Sequence, residues 1–417
     1  MSTLRSNIAN WGATDYTMSF LILVSLVENR AMPVAFGVFG LMALLKRRSL
    51  VEIKPFLSWK TPMFWMMALF FLHTVSIVYS DSTASAFNDV GMKMSLLAIP
   101  ILIVLPKFKL ELKDVVILFL LSTLIASFVC YVNAARISLG DPGDNEWYYF
   151  KGSYFSFILH RSYFANYLAI GAAISIVYAF KYSKLRWFYV FTAVSNIVTT
   201  MLTFSKAGIL ILIILISIVS YWVATKYMKR IYATGAVVIF VVGVVSIISL
   251  SPTLRTRFTQ MFDAFGGKSV EAPEGEVEST AARMYMWKTA WEVIRENPVL
   301  GVGTSDSNSA MAQKNRQNGH HALADLKLNA HNQYLNTWVQ VGILGLISLL
   351  MLFGSAIYLG WKSKSLELIL FVLGSSISLV FESFFERQQG LMPVLLLITL
   401  ISTLLVKRRL QGASVRQ

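Results

Sequence analysis

The sequence predicts an all-α polytopic integral membrane protein, and three observations carry that prediction. The 417 residues are 56% hydrophobic and only 14% charged, with a mean hydropathy of +0.60, where a water-soluble chain of this length would need more polar surface. Apolar runs of about 17–25 residues, long enough to cross a hydrocarbon core as helices, recur along the chain. Alternating strand patterns are absent, and backbone groups in lipid must be satisfied within their own segment, so the spans are helical.

The runs fall near residues 16–30, 32–45, 62–80, 86–105, 112–135, 161–180, 186–203, 206–224, 231–250, 334–360, 366–382 and 390–406. That gives about twelve spans, or eleven if the short first two form one tilted helix. Basic residues mark alternate connections: Lys46-Arg47-Arg48, Lys107/Lys109/Lys113, Lys181/Lys184/Arg186, Lys226/Lys229/Arg230, Lys362/Lys364 and Lys407-Arg408-Arg409. With a cytoplasmic N-terminus all of these connections are cytoplasmic, and the acids gather on the opposite side, which is the positive-inside pattern. The net charge of +15 therefore reports topology rather than a nucleic-acid partner. The single cysteine, Cys130, lies in an apolar run and excludes an intramolecular disulfide. Residues 1–15 are polar and the first run leads into Glu28-Asn29-Arg30, so no cleavable signal peptide stands out.

Three stretches follow from this pattern: nine spans over 1–250, an outer loop over 251–333, and three spans with a cytoplasmic tail over 334–417. No internal repeat is visible, unlike in many transporters. The outer connection 136–160 contains Asp141-Pro142-Gly143-Asp144-Asn145 and then aromatics. The loop 251–333 far exceeds a connection's needs, and loops of that length are commonly functional or disordered. Within it, Ser279 or Thr280 caps a predicted helix over 280–297 that Asn297-Pro298 ends. Met284, Trp287, Trp291 and Ile294 fall on one stripe of that helix, as on an amphipathic helix lying at a membrane surface. Gly301-Val302-Gly303 makes a tight turn, and GGKSVEAPEGEVES (266–279) reads as a flexible linker with a solvated acidic run at Glu274, Glu276 and Glu278.

Five polar clusters lie on the outer side. In LNAHNQYLNTWVQVGILGL (328–346), Leu335, Trp338, Gly342 and Gly345 follow His331 at spacings that share one helical face. Small residues let membrane helices approach closely, so this face is expected to point His331 into the bundle. There a neutral imidazole can act as a general base near pH 7, or the His331-Asn332 pair can simply be a polar helix cap. In TFSKAGIL (203–210), Lys206 opens a span at its outer end, where the helix dipole favours an anion; Ser205 can cap and Gly208 can permit close packing. The plain alternative for Lys206 is an interfacial lysine reaching toward headgroups. Arg283 offers a planar fork for phosphate oxygens, or is a surface arginine of the amphipathic helix. His160 and Arg161 enter another span, and Glu382, Glu386 and Arg387 stand at a further outer helix end, where Glu386 and Arg387 can form a structural ion pair. Ionisable groups at a membrane edge are functional-site hypotheses by default. No phosphate-binding GxxxxGK[ST] loop and no DxD, HExxH or cysteine cluster accompanies them, so neither nucleotide hydrolysis nor a divalent-metal site is expected.

His331-Asn332, then nine residues to Gly342 and two more to Gly345, resembles the signature of the O-antigen ligase family. Arg283 with Trp287, Pro298 followed by Gly301-Val302-Gly303, and Ser205-Lys206-Ala207-Gly208 are similar to further motifs of that family, and the resemblance spans roughly residues 155–405. Two departures are Lys206, where many members carry arginine, and Arg161, where relatives often have proline. The resemblance implies a GT-C-like glycosyltransferase of the bacterial inner membrane whose site faces the periplasm. It implies a polysaccharide on undecaprenyl diphosphate as donor and a lipid A–core sugar hydroxyl as acceptor, with no cofactor, nucleotide or metal. Under it, His331 takes the acceptor proton, while Arg283, Lys206 and Arg161 neutralise the diphosphate. Ser205, His160, Asn332, Gly342, Gly345, Glu382 and Arg387 then support them. An O-antigen polymerase or a protein O-oligosaccharyltransferase would use the same donor, and a transporter of the lipid-linked glycan is the reading from another class.

Overall fold

The computed structural model describes residues 10–27, 31–45, 47–140, 146–227, 230–252, 255–256, 259 and 280–414. The 266–279 linker, with its three glutamates, and Asp141–Asn145 lie outside the described residues. The described chain is built of helices, with one isolated β-bridge between Arg47 and Pro106. In chain order the principal helices are α1 (Ala13–Val24), α2 (Met32–Leu45), α3 (Pro62–Val75, continued as a 3-10 turn through Tyr79), α4 (Thr83–Met92), α5 (Ser95–Val104), α6 (Leu112–Gly140), α7 (Arg161–Lys181) and α8 (Arg186–Leu202). They continue as α9 (Lys206–Tyr227), α10 (Arg230–Leu250), α11 (Thr280–Glu296), α12 (Ser307–Gln317), α13 (Gln333–Lys362), α14 (Leu366–Phe381) and α15 (Gln388–Ser414).

Helices stand at each predicted apolar run, and the first two runs are separate helices. Among the described residues, seven segments are long and apolar enough to cross a membrane: Pro62–Tyr79, Thr83–Val104, Leu112–Gly140, Arg161–Lys181, Lys206–Lys226, Gln333–Lys362 and Gln388–Gln411. Helices α1, α2 and α14 are apolar but shorter. Two segments form the centre, because an 18-residue apolar stretch of α7 is 89% buried and one of α15 94%, against 39–56% in the other five. Helix α7 can be central because its sequence is rich in small residues. Gly208 of α9 packs so closely there that a Cβ would stand 2.2 Å from that of Ala165.

Two expected spans are interrupted. The run 86–105 breaks at Lys93-Met94, between α4 and α5. Gln388 closes that break, donating from Nε2 to the Met92 carbonyl and accepting from Ser95 Oγ through Oε1 at 2.9 Å. Helix α13 breaks at Val341 (φ −132°, ψ 19°) and Gly342 (φ 69°, ψ −166°). The carbonyls freed by such a break need new donors. The loop supplies them: Val302 N–H donates to Val339 O at 2.8 Å and Gly303 N–H to Gln340 O at 3.0 Å, while Ile343 N–H donates to Pro298 O at 3.1 Å. The contact is backbone on backbone. A Cβ on Gly301 would lie 2.6 Å from Val339 O, and one on Gly342 1.9 Å from Val299 O.

This corrects the helical-face reading of 331–345. His331 lies before the helix, with Asn332 as its N-cap, and the break resets the phase between Trp338 and Gly345. Gly342 admits the Val299–Leu300 backbone rather than a neighbouring membrane helix, and Gly345 makes room for the Val341 side chain of its own helix.

The described part of the long loop, from Thr280 onward, is packed onto the bundle. Helix α11 buries Ala282, Met286, Thr289, Ala290, Val293 and Ile294, a stripe that meets Met311, Ala330 and Val339. The expected stripe is therefore displaced: Ile294 belongs to it, Met284 and Trp287 flank it, and Trp291 is exposed, edge-on to Trp338 at 5.6 Å. On the far side of the loop, Thr304 binds His73 Nδ1 at 2.8 Å and Ser76 Oγ at 2.7 Å, tying it to the end of α3.

Candidate active site

The site forms where five helix ends and the loop meet: the starts of α7, α9, α13 and α15, the end of α14, and the first turn of α11. Asn332 builds the start of α13. Its Oδ1 accepts from the Tyr334 and Leu335 amides at 3.0 and 3.1 Å, which covers two of the donors a helix start leaves open. His331 precedes it in left-handed conformation (φ 46°), its own amide held by Asn329 Oδ1 at 2.9 Å. The backbone is thus pinned on both sides of the imidazole.

Glu382 is the hub. It is the C-cap of α14 and is buried. One carboxylate oxygen accepts from Arg283 Nη2 of α11, and the other faces His331 Nδ1 at 3.5 Å, the long limit of a hydrogen bond. Burial opposes ionisation of Glu382. The His331 hydrogen bond and the charges of Arg283 and His160 outweigh it and hold the carboxyl below its ordinary range. His160, the N-cap of α7, packs its ring 5.2 Å from that of Tyr163, which lies 4.2 Å from Phe384. His331 and Arg283, 51 and 99 residues upstream, thus converge on one carboxylate.

One amino group of Arg283 is thus engaged by Glu382. Its Nε remains buried without a hydrogen-bond partner among the described residues, as does the indole N–H of Trp287 one turn on. A buried donor without an acceptor is costly, so these two N–H groups call for an acceptor such as a water, an ion or a ligand. Arg161 and Lys206 are the first residues of α7 and α9, which pack together through Ala165 and Gly208, so two cations stand at adjacent helix starts. Ser205 Oγ accepts from Gly208 N–H at 3.1 Å and caps α9. Arg387 is exposed at the rim.

Behind the hub lies a second polar layer that the sequence reading missed. The expected Glu386–Arg387 pair is replaced by Lys93–Glu386 at 2.8 Å, with the lysine 3% exposed. Glu386 also accepts from Gln340 Nε2 at 3.1 Å and Gln333 Nε2 at 3.5 Å, while Gln333 Oε1 accepts from Phe385 N–H at 2.7 Å. Burial again opposes ionisation, and the Lys93 charge and these hydrogen bonds lower the Glu386 pKa. Lys93 was legible in principle, since a lysine inside an apolar run needs a partner. His73, buried inside α3, gave the same signal. Among the described residues no three metal-ligating side chains cluster, and His320 packs on Tyr285 at 4.8 Å, away from His331's contacts.

Residues 188–350 match the family model described as O-antigen ligase. The match takes in Lys206, Arg283, the Gly301–Gly303 turn, His331 and Gly342; His160, Arg161, Glu382 and Arg387 lie outside it. The chain is also similar to an uncharacterized protein of Haemophilus influenzae, at 35% identity over 81 residues, which is 19% of this chain and 20% of that relative. The match thus spans about a fifth of the relative's length.

Proposed function

We propose, on the match of residues 188–350 to the O-antigen ligase family model, that the chain is a membrane glycosyltransferase. It moves a polysaccharide from undecaprenyl diphosphate to a lipid A–core sugar hydroxyl at the periplasmic face of the bacterial inner membrane. The observation that carries this reading is the bridging of His331 and Arg283 by Glu382. It joins a base to a cationic group at the end of the bundle opposite the lysine-rich connections.

The chemistry follows from the geometry. Glu382 faces Nδ1 of His331, which favours the tautomer with its proton on Nδ1 and presents Nε2 as the acceptor. The acceptor hydroxyl oxygen attacks the anomeric carbon and its proton passes to Nε2. The bond from that carbon to the diphosphate oxygen breaks, and its electron pair leaves with the diphosphate. Glu382 stabilises the imidazolium so formed. The unpartnered Arg283 Nε and the cations at the starts of α7 and α9 meet the growing negative charge, the kind of preorganised stabilisation that often dominates catalysis. With Glu382 engaged by Arg283 and His331, no carboxylate of the cluster among the described residues is left to act as nucleophile, which favours direct displacement with inversion. The cations supply the charge neutralisation, so the reading needs no metal or cofactor.

The test is transfer in vitro by the purified protein, with lipid-linked polysaccharide as donor. Lipid A–core, a lipid-linked repeat unit and a protein acceptor are offered in parallel, with and without chelator. Glycan on lipid A–core, unaffected by chelator, is expected. Transfer only to the repeat unit makes the protein a polymerase, transfer only to protein makes it a protein O-oligosaccharyltransferase, and a wild-type rate from His331→Ala removes the base assignment.

A further inference from the structure

The four helices α7, α9, α13 and α14 that carry His160, Lys206, Asn332 and Glu382 at one end enclose a cavity of about 630 Å³ at the other. Lys181 and Lys226 close the ends of α7 and α9, Lys362 ends α13, and Lys364 stands in the turn to α14. Trp222 and Trp361 line the same cavity, and Val177, Leu366 and Ile369 make its apolar part. Its one carboxylate is Glu367, which is buried and paired with Lys181 at 3.0 Å. Among the described residues no carboxylate pairs with Lys226, Lys362 or Lys364.

The helix dipole and topology explain a lysine in the last turn of α7, α9 and α13 and another in the turn after α13. Neither explains why four of them surround one cavity with two tryptophans and apolar side chains. Lys226 lies 4.9 Å from the Trp222 ring centre and Lys362 5.7 Å from that of Trp361, so the indoles hold ammonium groups at the cavity. Basic pockets between membrane helices recognise phosphate-bearing lipid headgroups, and tryptophan favours the interface between headgroup and acyl chain. The volume lies within the range of small-molecule sites. A free phosphate would have no use for the apolar part.

We infer that this cavity is a binding site for an anionic phospholipid of the leaflet opposite the His331 cluster, with Lys226, Lys362 and Lys364 on its phosphate. Lys181 is committed to Glu367 and holds α7 against α14. The site stands independently of the transfer reaction.

The full-length protein, purified in detergent, is titrated with phosphatidylglycerol, phosphatidylcholine and inorganic phosphate, and bound lipid is counted by native mass spectrometry. Phosphatidylglycerol is expected to bind in preference to phosphatidylcholine, and K226Q/K362Q/K364Q to lose roughly tenfold or more in its affinity. Equal binding of the two lipids, unchanged affinity in the triple variant, or complete displacement of the lipid by inorganic phosphate overturns the inference. A second measurement needs no lysine variant: in nanodiscs, brominated phosphatidylglycerol should quench wild-type fluorescence more than brominated phosphatidylcholine. Trp361→Phe should reduce that excess, and an excess unchanged by it also overturns the site.

Discussion

His331 has no place in a regular helix, and its left-handed backbone is held by Asn329 and by the Asn332 cap. Non-glycine residues in that conformation persist where the surroundings over-determine them, and here the result is a ring fixed against Glu382. Replacing His331 with alanine should reduce transfer by about 10²–10⁴-fold, the usual worth of a general base, measured as kcat with saturating donor. In the proposed reaction Glu382 acts through its neighbours as a positioning residue. Glu382→Gln should lower kcat and shift the pH profile of transfer, whereas a purely structural role would change the amount of folded protein and leave the profile alone. Because its folded carboxyl pKa is lowered, the stability it contributes is present above the unfolded carboxyl's value of about 4.3. It is lost as pH falls through the depressed folded value. Hydrogen-exchange protection across Thr280–Glu296, corrected for the intrinsic amide rate, should therefore be high at neutral pH and fall in acid, whereas in Glu382→Gln it should be reduced already at neutral pH and lack that acid step. His160, Lys206, His331 and Glu382 are each visible in the sequence because they interrupt or flank apolar runs, and Arg283 because it stands on the amphipathic helix of the long loop. Their pairing is not, since nothing local says that Glu382 rather than Glu386 meets residues fifty and a hundred positions away.

At the scale of elements, two interruptions hold the site in shape. The break in α13 and the Pro298–Gly303 segment satisfy each other's backbone groups, and both glycines are required for that contact. Gly342→Ala should destabilise the fold by about 3 kcal/mol or more, from a positive φ and a Cβ within 2 Å of the Val299 carbonyl in wild-type geometry. The check is the melting temperature together with protease cleavage between 298 and 306. Combined with Gly301→Ala the loss should fall short of the sum, because both remove one contact. The second interruption places Lys93 on Glu386. Lys93 is buried and Glu386 half-buried, so removing one partner leaves a largely uncompensated charge at a cost below the ~3–5 kcal/mol of a fully buried pair, whereas an apolar pair of similar volume is often tolerated. Lys93→Met alone should therefore melt well below the wild type, and Lys93→Met with Glu386→Leu should recover part of the difference. The glycines and the apolar runs were legible as residues. What they do was hidden, because hydrophobic periodicity describes an unbroken helix and carries no signal for a break completed by a distant loop.

On the scale of the whole molecule, the bundle has two chemically different ends. Helix α7 runs 21 residues from Arg161 to Lys181, about 30 Å at 1.5 Å per residue, which matches a hydrocarbon core. Its start belongs to the His331 cluster and its end to the lysine-lined cavity, and α9 and α13 run in the same sense. This polarity was the most legible property of the sequence, because the spacing of apolar runs and the alternation of basic connections need no knowledge of packing. It leads to a direct prediction of orientation. Leu300 is 59% exposed beside the site, and Arg409 is exposed near the far end of α15. Leu300→Cys should react with a membrane-impermeant maleimide in intact spheroplasts, and Arg409→Cys only after the membrane is opened. The native Cys130 can stay in place, because it is fully buried and a buried thiol in apolar surroundings is inert. The reverse labelling pattern would set the His331 cluster in the cytoplasm. A donor presented in the periplasm could not then reach it, so the proposed reaction would fail at the scale of topology before any question about the imidazole arose.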